Sequence, residues 1–153
     1  MTRTPIIVVE DRAPLAFAIS DLFRKHQAEL KNWHLEGAVQ IVASGWRLLK
    51  WLDTQPKQSV RLLVVDYSIV GHDGANIVER LRREDAPLSY PTLHSQCVII
   101  GWSAEASAER SFRDAGANGF ISKQRPVTQL VADLMKVLQR LNTGESWVSL
   151  HAS

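Results

Sequence analysis

Residues 61–74 read RLLVVDYSIVGHDG. The run LLVV at 62–65 is continuous and apolar, the pattern of a strand covered on both faces, as in a parallel sheet. Asp66 follows directly, a carboxylate at the open end of a buried strand, and the loop beyond it closes in Asp73-Gly74. A charge in that position raises the question of what it is for.

Working outward, similar runs occur at IIVV (Ile6–Val9), CVII (97–100) and GFIS (Gly119–Ser122), with a weaker, partly alternating AVQIVA at 38–43. Helical periodicity fills the gaps. Leu15, Ile19, Leu22, Phe23 and Leu30 share the stripe of a first helix, and Trp46, Leu49 and Leu52 mark a short second one. Ile77, Val78 and Leu81 belong to a third, with Asp73 as its N-cap. Ala108, Phe112 and Ala115 line a fourth, which AGANG terminates. Val127, Leu130, Val131, Leu134, Leu138 and Leu141 keep the period best, behind Pro126. Five strand–helix alternations predict an α/β fold: a five-stranded parallel sheet with helices on both faces. EDAPLSYPTLHSQ (84–96) reads as a long proline-containing loop. Residues 1–142 form the domain in this reading, and 143–153 a tail or the start of a linker.

The bulk properties narrow the function. A chain of 153 residues, 45% hydrophobic and 22% charged, suits one ordinary globular domain. A net charge of +2 with scattered Lys and Arg gives no nucleic-acid surface, and Arg82-Arg83 reads as a solvated helix end. The single cysteine, Cys97, lies inside an apolar run and reads as a buried structural thiol. MTRTP leads straight into IIVVE, a run too short for a signal sequence or a membrane span, so a cytoplasmic location is expected.

In an open parallel sheet, ligands bind beyond the carboxyl ends of the strands. The first strand ends in Glu10-Asp11, the third in Asp66, the fourth in Ser103 after Trp102, and the fifth in Lys123. Each alone is unremarkable: an acid there is commonly a cap, Ser103 suits the N-cap of the fourth helix, and a lysine is usually surface. Together they put three carboxylates, a hydroxyl and an ammonium on one rim. Clustered carboxylates repel, and magnesium, an oxygen-ligand cation that serves phosphate chemistry, relieves that repulsion. Glu10, Asp11, Asp66 and the backbone carbonyl of Ser68 are the expected ligands. Lys123 would pair with a phosphoryl oxygen as a point charge, and the Ser103 hydroxyl would hydrogen-bond another. Asp66 then reads as the nucleophile or phosphoryl acceptor. A dinucleotide fold is disfavoured, since no glycine-rich fingerprint follows the first strand. An aspartate phosphatase of the haloacid dehalogenase type needs a second aspartate where Ser68 stands.

With those residues in place, the chain resembles the receiver domain of a two-component response regulator, of the CheY-like type, over roughly residues 5–141. Glu10-Asp11 matches the acidic pair that holds magnesium, and Asp66 the phospho-accepting aspartate. Asp73-Gly74, Ser103-Ala104, Phe120 and Lys123 match the Asp-Gly, the switch hydroxyl, the switch aromatic and the strand-ending lysine. The resemblance implies strand order 2-1-3-4-5, magnesium as cofactor, and a histidine kinase or phosphotransfer protein as partner. It implies a phosphorelay component that regulates transcription, a phosphoryl acceptor able to lose its own phosphate rather than a turnover enzyme. There are departures. Ile69, Val70 and Gly71 stand where the family often has Met-Pro, and KQRPV moves proline away from the lysine, so a cis bond there is not expected. That spacing and the tail TGESWVS are similar to the NarL/FixJ subclass, in which the tail opens a linker to a helix-turn-helix. DNA contact would need that domain, which lies outside this chain, and a chain cut at the linker is expected over a lone receiver. Trp147 equally suits packing of the tail onto the domain. Arg12 reads as solvated, or as reaching Glu10 or the phosphate. The 127–141 face could serve a homodimer, although core packing explains its apolar stripe. Two other functions stay open: an interaction module not controlled by phosphate, and a metal-dependent phosphatase acting in trans.

Overall fold

In the computed structural model, which describes residues 4–54, 56, 58–69, 72–83 and 93–152, the apolar runs become strands of one parallel sheet. The chain runs through β1 (Ile6–Val9), α1 (Ala13–Lys25), α2 (Gln27–Lys31), β2 (Val39–Val42), α3 (Gly45–Leu52) and β3 (Val60–Asp66). A short antiparallel pair follows, β4 (Ser68–Ile69) and β5 (His72–Asp73), then α4 (Gly74–Arg82), β6 (Leu93–Ser103) and α5 (Ala108–Ala115). The last elements are β7 (Gly119–Ser122), a 3-10 turn (Val127–Gln129), α6 (Leu130–Asn142) and β8 (Val148–Leu150).

The order β2-β1-β3-β6-β7-β8, parallel at every pairing, contains the five expected strands in the expected arrangement. The count differs by one, because the tail adds β8 beside β7. Val148 and Leu150 point inward and are buried, and the close approach depends on Gly119, where a Cβ would lie 2.4 Å from the Val148 carbonyl oxygen.

Strand alternation sorts the core into two layers. Ile6, Val8, Leu62, Val64, Ile100, Trp102 and Ile121 pack with α1, α2 and α6 on one face. Ile7, Val9, Leu63, Val65, Ile99 and Phe120 pack with α3, α4 and α5 on the other. The apolar stripe of α6 is therefore spent on the core. No helix among the described residues is long and apolar enough to cross a membrane.

Several local expectations need correction. The first helical stripe is broken at His26, whose non-helical backbone (φ −115°, ψ 30°) separates α1 from α2 while its ring Nδ1 bonds the Leu22 carbonyl. On α3 the buried apolar side chains are Leu48, Leu49 and Leu52, and Trp46 is 57% exposed. Residues 93–96, read as loop, extend β6 through a register shift that pairs Val60 with Leu93 and Leu62 with Val98. The rest of that loop, 84–92, lies outside the described residues. Arg82 is exposed at the end of α4, as read, but it is also tied down: its guanidinium donates to the carbonyls of Gly116 and Cys97 and to Asn118 Oδ1. Cys97 is buried as expected, and desolvation pushes its thiol up to about 12. No cis peptide occurs among the described residues.

Candidate functional site

The alternation that sorts the core also places the site. Glu10 continues the Ile6, Val8 side of β1, Asp66 the Leu62, Val64 side of β3, and Lys123 the Ile121 side of β7. All three therefore leave the carboxyl end of the sheet on the α1–α6 face. The Lys123 ammonium donates to Glu10 Oε2 at 2.8 Å and lies 3.1 Å from Asp66 Oδ2. Asp11 is exposed at the mouth, and the ligand oxygens of Glu10, Asp11 and Asp66 all lie within 4.8 Å of one another.

The two buried acids are held from below. Glu10 is 2% exposed, its backbone N–H donates to the Val42 carbonyl, and its Oε1 accepts from the Arg12 backbone N–H at 3.2 Å. The Arg12 residue is exposed, so its contribution to the pocket comes from its main chain. Burial pushes the Glu10 carboxyl above the ordinary carboxylate range; Lys123 pulls it partly back, and the neighbouring Asp66 charge adds to the rise. Asp66 is buried, sits opposite Trp102 in the ladder, and accepts from the Ser68 backbone N–H at 3.3 Å through Oδ1. The Asp-Gly of the loop now has a reason. The Gly74 N–H donates to the Tyr67 carbonyl at 2.7 Å, and a Cβ on Gly74 would fall 2.1 Å from the Asp66 carbonyl oxygen. Only glycine lets α4 begin so close to the aspartate.

Lys123 is fixed at both ends. Its backbone N–H donates to the Ser103 carbonyl at 2.8 Å, and its ammonium stands 4.6 Å from the centroid of the Trp102 ring. Among the described residues, three carboxylates against one ammonium leave a net negative, oxygen-only ligand set, which fits a hard divalent cation such as magnesium.

The other expected site residues sit differently. Ser103 is buried, but its position in β6 turns it to the opposite face, and its Oγ accepts from the Glu105 N–H at 3.0 Å. It is not the N-cap of α5, which starts only at Ala108. Phe120 is already fully buried, with Phe112 at 6.3 Å and His151 at 6.0 Å between ring centroids. The tail closes over it. Asp73 lies in β5 directly before α4, but its side chain, like residues 70 and 71, lies outside the described residues.

Two features escaped the sequence reading. Trp102 is core, 3% exposed in the α1–α6 layer, but its ring also lies under Lys123, which its place in the sequence does not show. Arg125, two residues past Lys123, forms a forked pair with buried Asp133 at 2.9 and 2.8 Å and donates to the His151 carbonyl. Only the eight-residue gap between Arg125 and Asp133, across a helix start, could have hinted at it. Trp147 does dock the tail: its Nε1 donates to Glu109 Oε2 at 3.1 Å, and His151 Nε2 lies 3.0 Å from Glu109 Oε1.

Comparison with known proteins agrees with this geometry. A 25% identical relative, the phosphate regulon transcriptional regulatory protein PhoB of Pseudomonas aeruginosa, aligns with 95% of this chain and 56% of its own length. The chain thus spans about half of that protein. Among solved structures, a LuxR family DNA-binding response regulator from Silicibacter pomeroyi superposes with a TM-score of 0.65 at 19% identity, covering 97% of both chains. The chemotaxis response regulator CheY4 of Vibrio cholerae gives 0.61 at 17% identity, over 89% of this chain and 99% of its own. These structures share the fold and single out no subclass. The family described as response regulator receiver domain matches residues 6–135, and the chain belongs to that family.

Proposed function

We propose that this receiver domain takes a phosphoryl group onto Asp66 from a histidine kinase or phosphotransfer protein, with magnesium, and that the change alters what its partners or an output domain bind. Control of transcription in the cytoplasm is the output this reading favours; the transcriptional role in the PhoB name supports it. The observation that carries the proposal is the Lys123 ammonium standing between Asp66 and Glu10 in a pocket of three carboxylates.

In this mechanism a carboxylate oxygen of Asp66 attacks phosphorus, a new P–O bond forms, and the P–N bond of a phosphohistidine breaks, the histidine leaving with the bonding pair and taking up a proton. Glu10, Asp11, Asp66 and the Ser68 backbone carbonyl are the residues that would hold magnesium. When bound, the cation neutralises charge between these carboxylates and the incoming phosphoryl group. Lys123 supplies the second positive charge at Asp66. The product carries roughly −1.5 to −2 charge, by analogy with phosphorylated hydroxyls, and this draws Lys123 from Glu10 toward the phosphoryl oxygens. Ser103, which accepts from the Glu105 N–H, keeps its own O–H to donate and contributes once that hydroxyl comes within reach of a phosphoryl oxygen. The group is held once per domain and lost by hydrolysis, which makes the domain a switch rather than a turnover enzyme.

Replacing Glu10→Gln together with Asp11→Asn is expected to abolish saturable magnesium binding in calorimetry, and with it labelling by a small acyl phosphate. An unchanged magnesium titration would remove the metal site from this account. One observation favours a second reading, an interaction module indifferent to phosphate: Phe120 is already buried beneath the tail. Partner binding unaffected by a phosphodonor and by Asp66→Asn would select it.

A further inference from the structure

Lys123 directly follows β7, whereas of its two carboxylate partners Asp66 ends β3 and Glu10 directly follows β1. In the sheet order, β6 lies between β7 and β3, so the lysine has to cross one whole strand to reach Asp66 and reach toward a further strand to meet Glu10. At about 4.8 Å per strand, that is a path of roughly 10 Å to the Asp66 strand. The residue that β6 presents under this path, on the same face, is Trp102: it pairs in register with Asp66 on one side and Ile121 on the other. Its indole is 3% exposed, packed among Ile100, Ile121 and the α1–α6 core, and the ammonium stands 4.6 Å from its centroid. The Lys123 side chain itself is 11% exposed.

An ammonium that has left bulk water needs compensation on every side. Glu10 and Asp66 supply it in the plane of the pocket, and the π face of a buried indole supplies it from the core side. An aliphatic side chain at 102 would keep the site apolar but offer the cation no π face.

We propose that Trp102 is a positioning residue: its ring is the floor that holds the Lys123 ammonium between Glu10 and Asp66. Its consequence for phosphoryl transfer rests on the function proposed above. Its structural content does not.

The test has two arms. In metal-free protein, acylation of the Lys123 amine by an N-hydroxysuccinimide ester is followed by peptide mass spectrometry, with exposed Lys31 as internal reference. Trp102→Leu is expected to raise the relative Lys123 rate on the order of fivefold, while Trp102→Phe, which keeps a ring face, stays within about twofold of wild type. Trp102→Met replaces the leucine variant if that one does not fold. Equal rates in the leucine or methionine variant and wild type would overturn the proposal, as would a phenylalanine variant as reactive as the leucine one.

The second arm measures acyl phosphate labelling of Asp66. Trp102→Leu is expected to slow it on the order of fivefold in the native background and to change nothing when Lys123→Met is also present. A loss of the same size in both backgrounds would show that the ring acts other than through Lys123, and would overturn the proposal. If wild type takes up no phosphate, the function proposed above fails, and the acylation rates still decide the role of Trp102.

Discussion

Glu10 is the carboxylate whose placement is hardest to sustain. It is almost sealed from solvent, and its compensation comes from one lysine and one backbone N–H. Burial holds its carboxyl above the ordinary value of 4.5, so the folded state binds that proton more tightly than the unfolded chain does. The sign follows. The stability Glu10 contributes is complete below the ordinary value and is lost as pH rises through its elevated folded value. In chelator, the unfolding free energy of wild type relative to Glu10→Gln should fall as pH rises across that window and then level off, as urea denaturation at a series of pH values would show. A difference that stays flat, or grows with pH, would contradict the assignment of Glu10 as a strained, desolvated acid. At this scale the sequence was informative about identity and silent about strain: EDR shows an acidic pair, but nothing local shows which acid is buried. The phase of β1 decides it, sending Glu10 inward and leaving Asp11 at the mouth.

Among the elements, β8 carries the least sequence signal and a large structural role. It pairs with β7 through Gly119–Ile121, buries Val148 and Leu150, and brings His151 over Phe120. Trp147 and His151 converge on Glu109 of α5, and Arg125 ties the His151 carbonyl to the loop that follows Lys123. Ending the chain after Glu145 removes all of these. With two buried apolar side chains at roughly 1.5–3 kcal/mol each, the expected loss is about 3 kcal/mol or more, measured as a lower urea midpoint. An unchanged midpoint would mean that the sixth strand is not part of the cooperative unit. The contrast with the other strands is instructive. IIVV, LLVV, CVII and GFIS announce themselves because strands buried on both faces are apolar throughout, whereas VSL is three residues long and alternates. Its pairing depends on the missing Cβ of Gly119, nearly thirty residues earlier, and no periodicity reports that. The break at His26 was hidden for the opposite reason: the apolar stripe continues through it to Leu30, and only the backbone departs.

For the whole molecule, a parallel sheet with one helical crossover per strand gathers residues distant in sequence at one end. Glu10, Asp66 and Lys123 were legible as a group because topology gives every strand end the same address. Their common face follows from alternation. The floor beneath the lysine was not legible, since a tryptophan inside an apolar run reads as core and only the crossing of β6 by Lys123 gives it a further part. Ser103 and Phe120 sit across the sheet from the carboxylates, so any influence between the two faces has to pass through β6 and β7 themselves. A near-complete change of state, from about 1% to about 99%, would require phosphorylation to favour one arrangement by ~5.5 kcal/mol. Phe120 is already buried beneath His151 of the tail. All of this depends on Asp66 being the group that reacts. The direct measurement is acid-labile phosphate incorporation from a small acyl phosphate in magnesium, compared between the native chain and Asp66→Asn. One phosphoryl group per native chain and none in the variant is the predicted result. Incorporation at the native level in Asp66→Asn, or none in either protein, would contradict it.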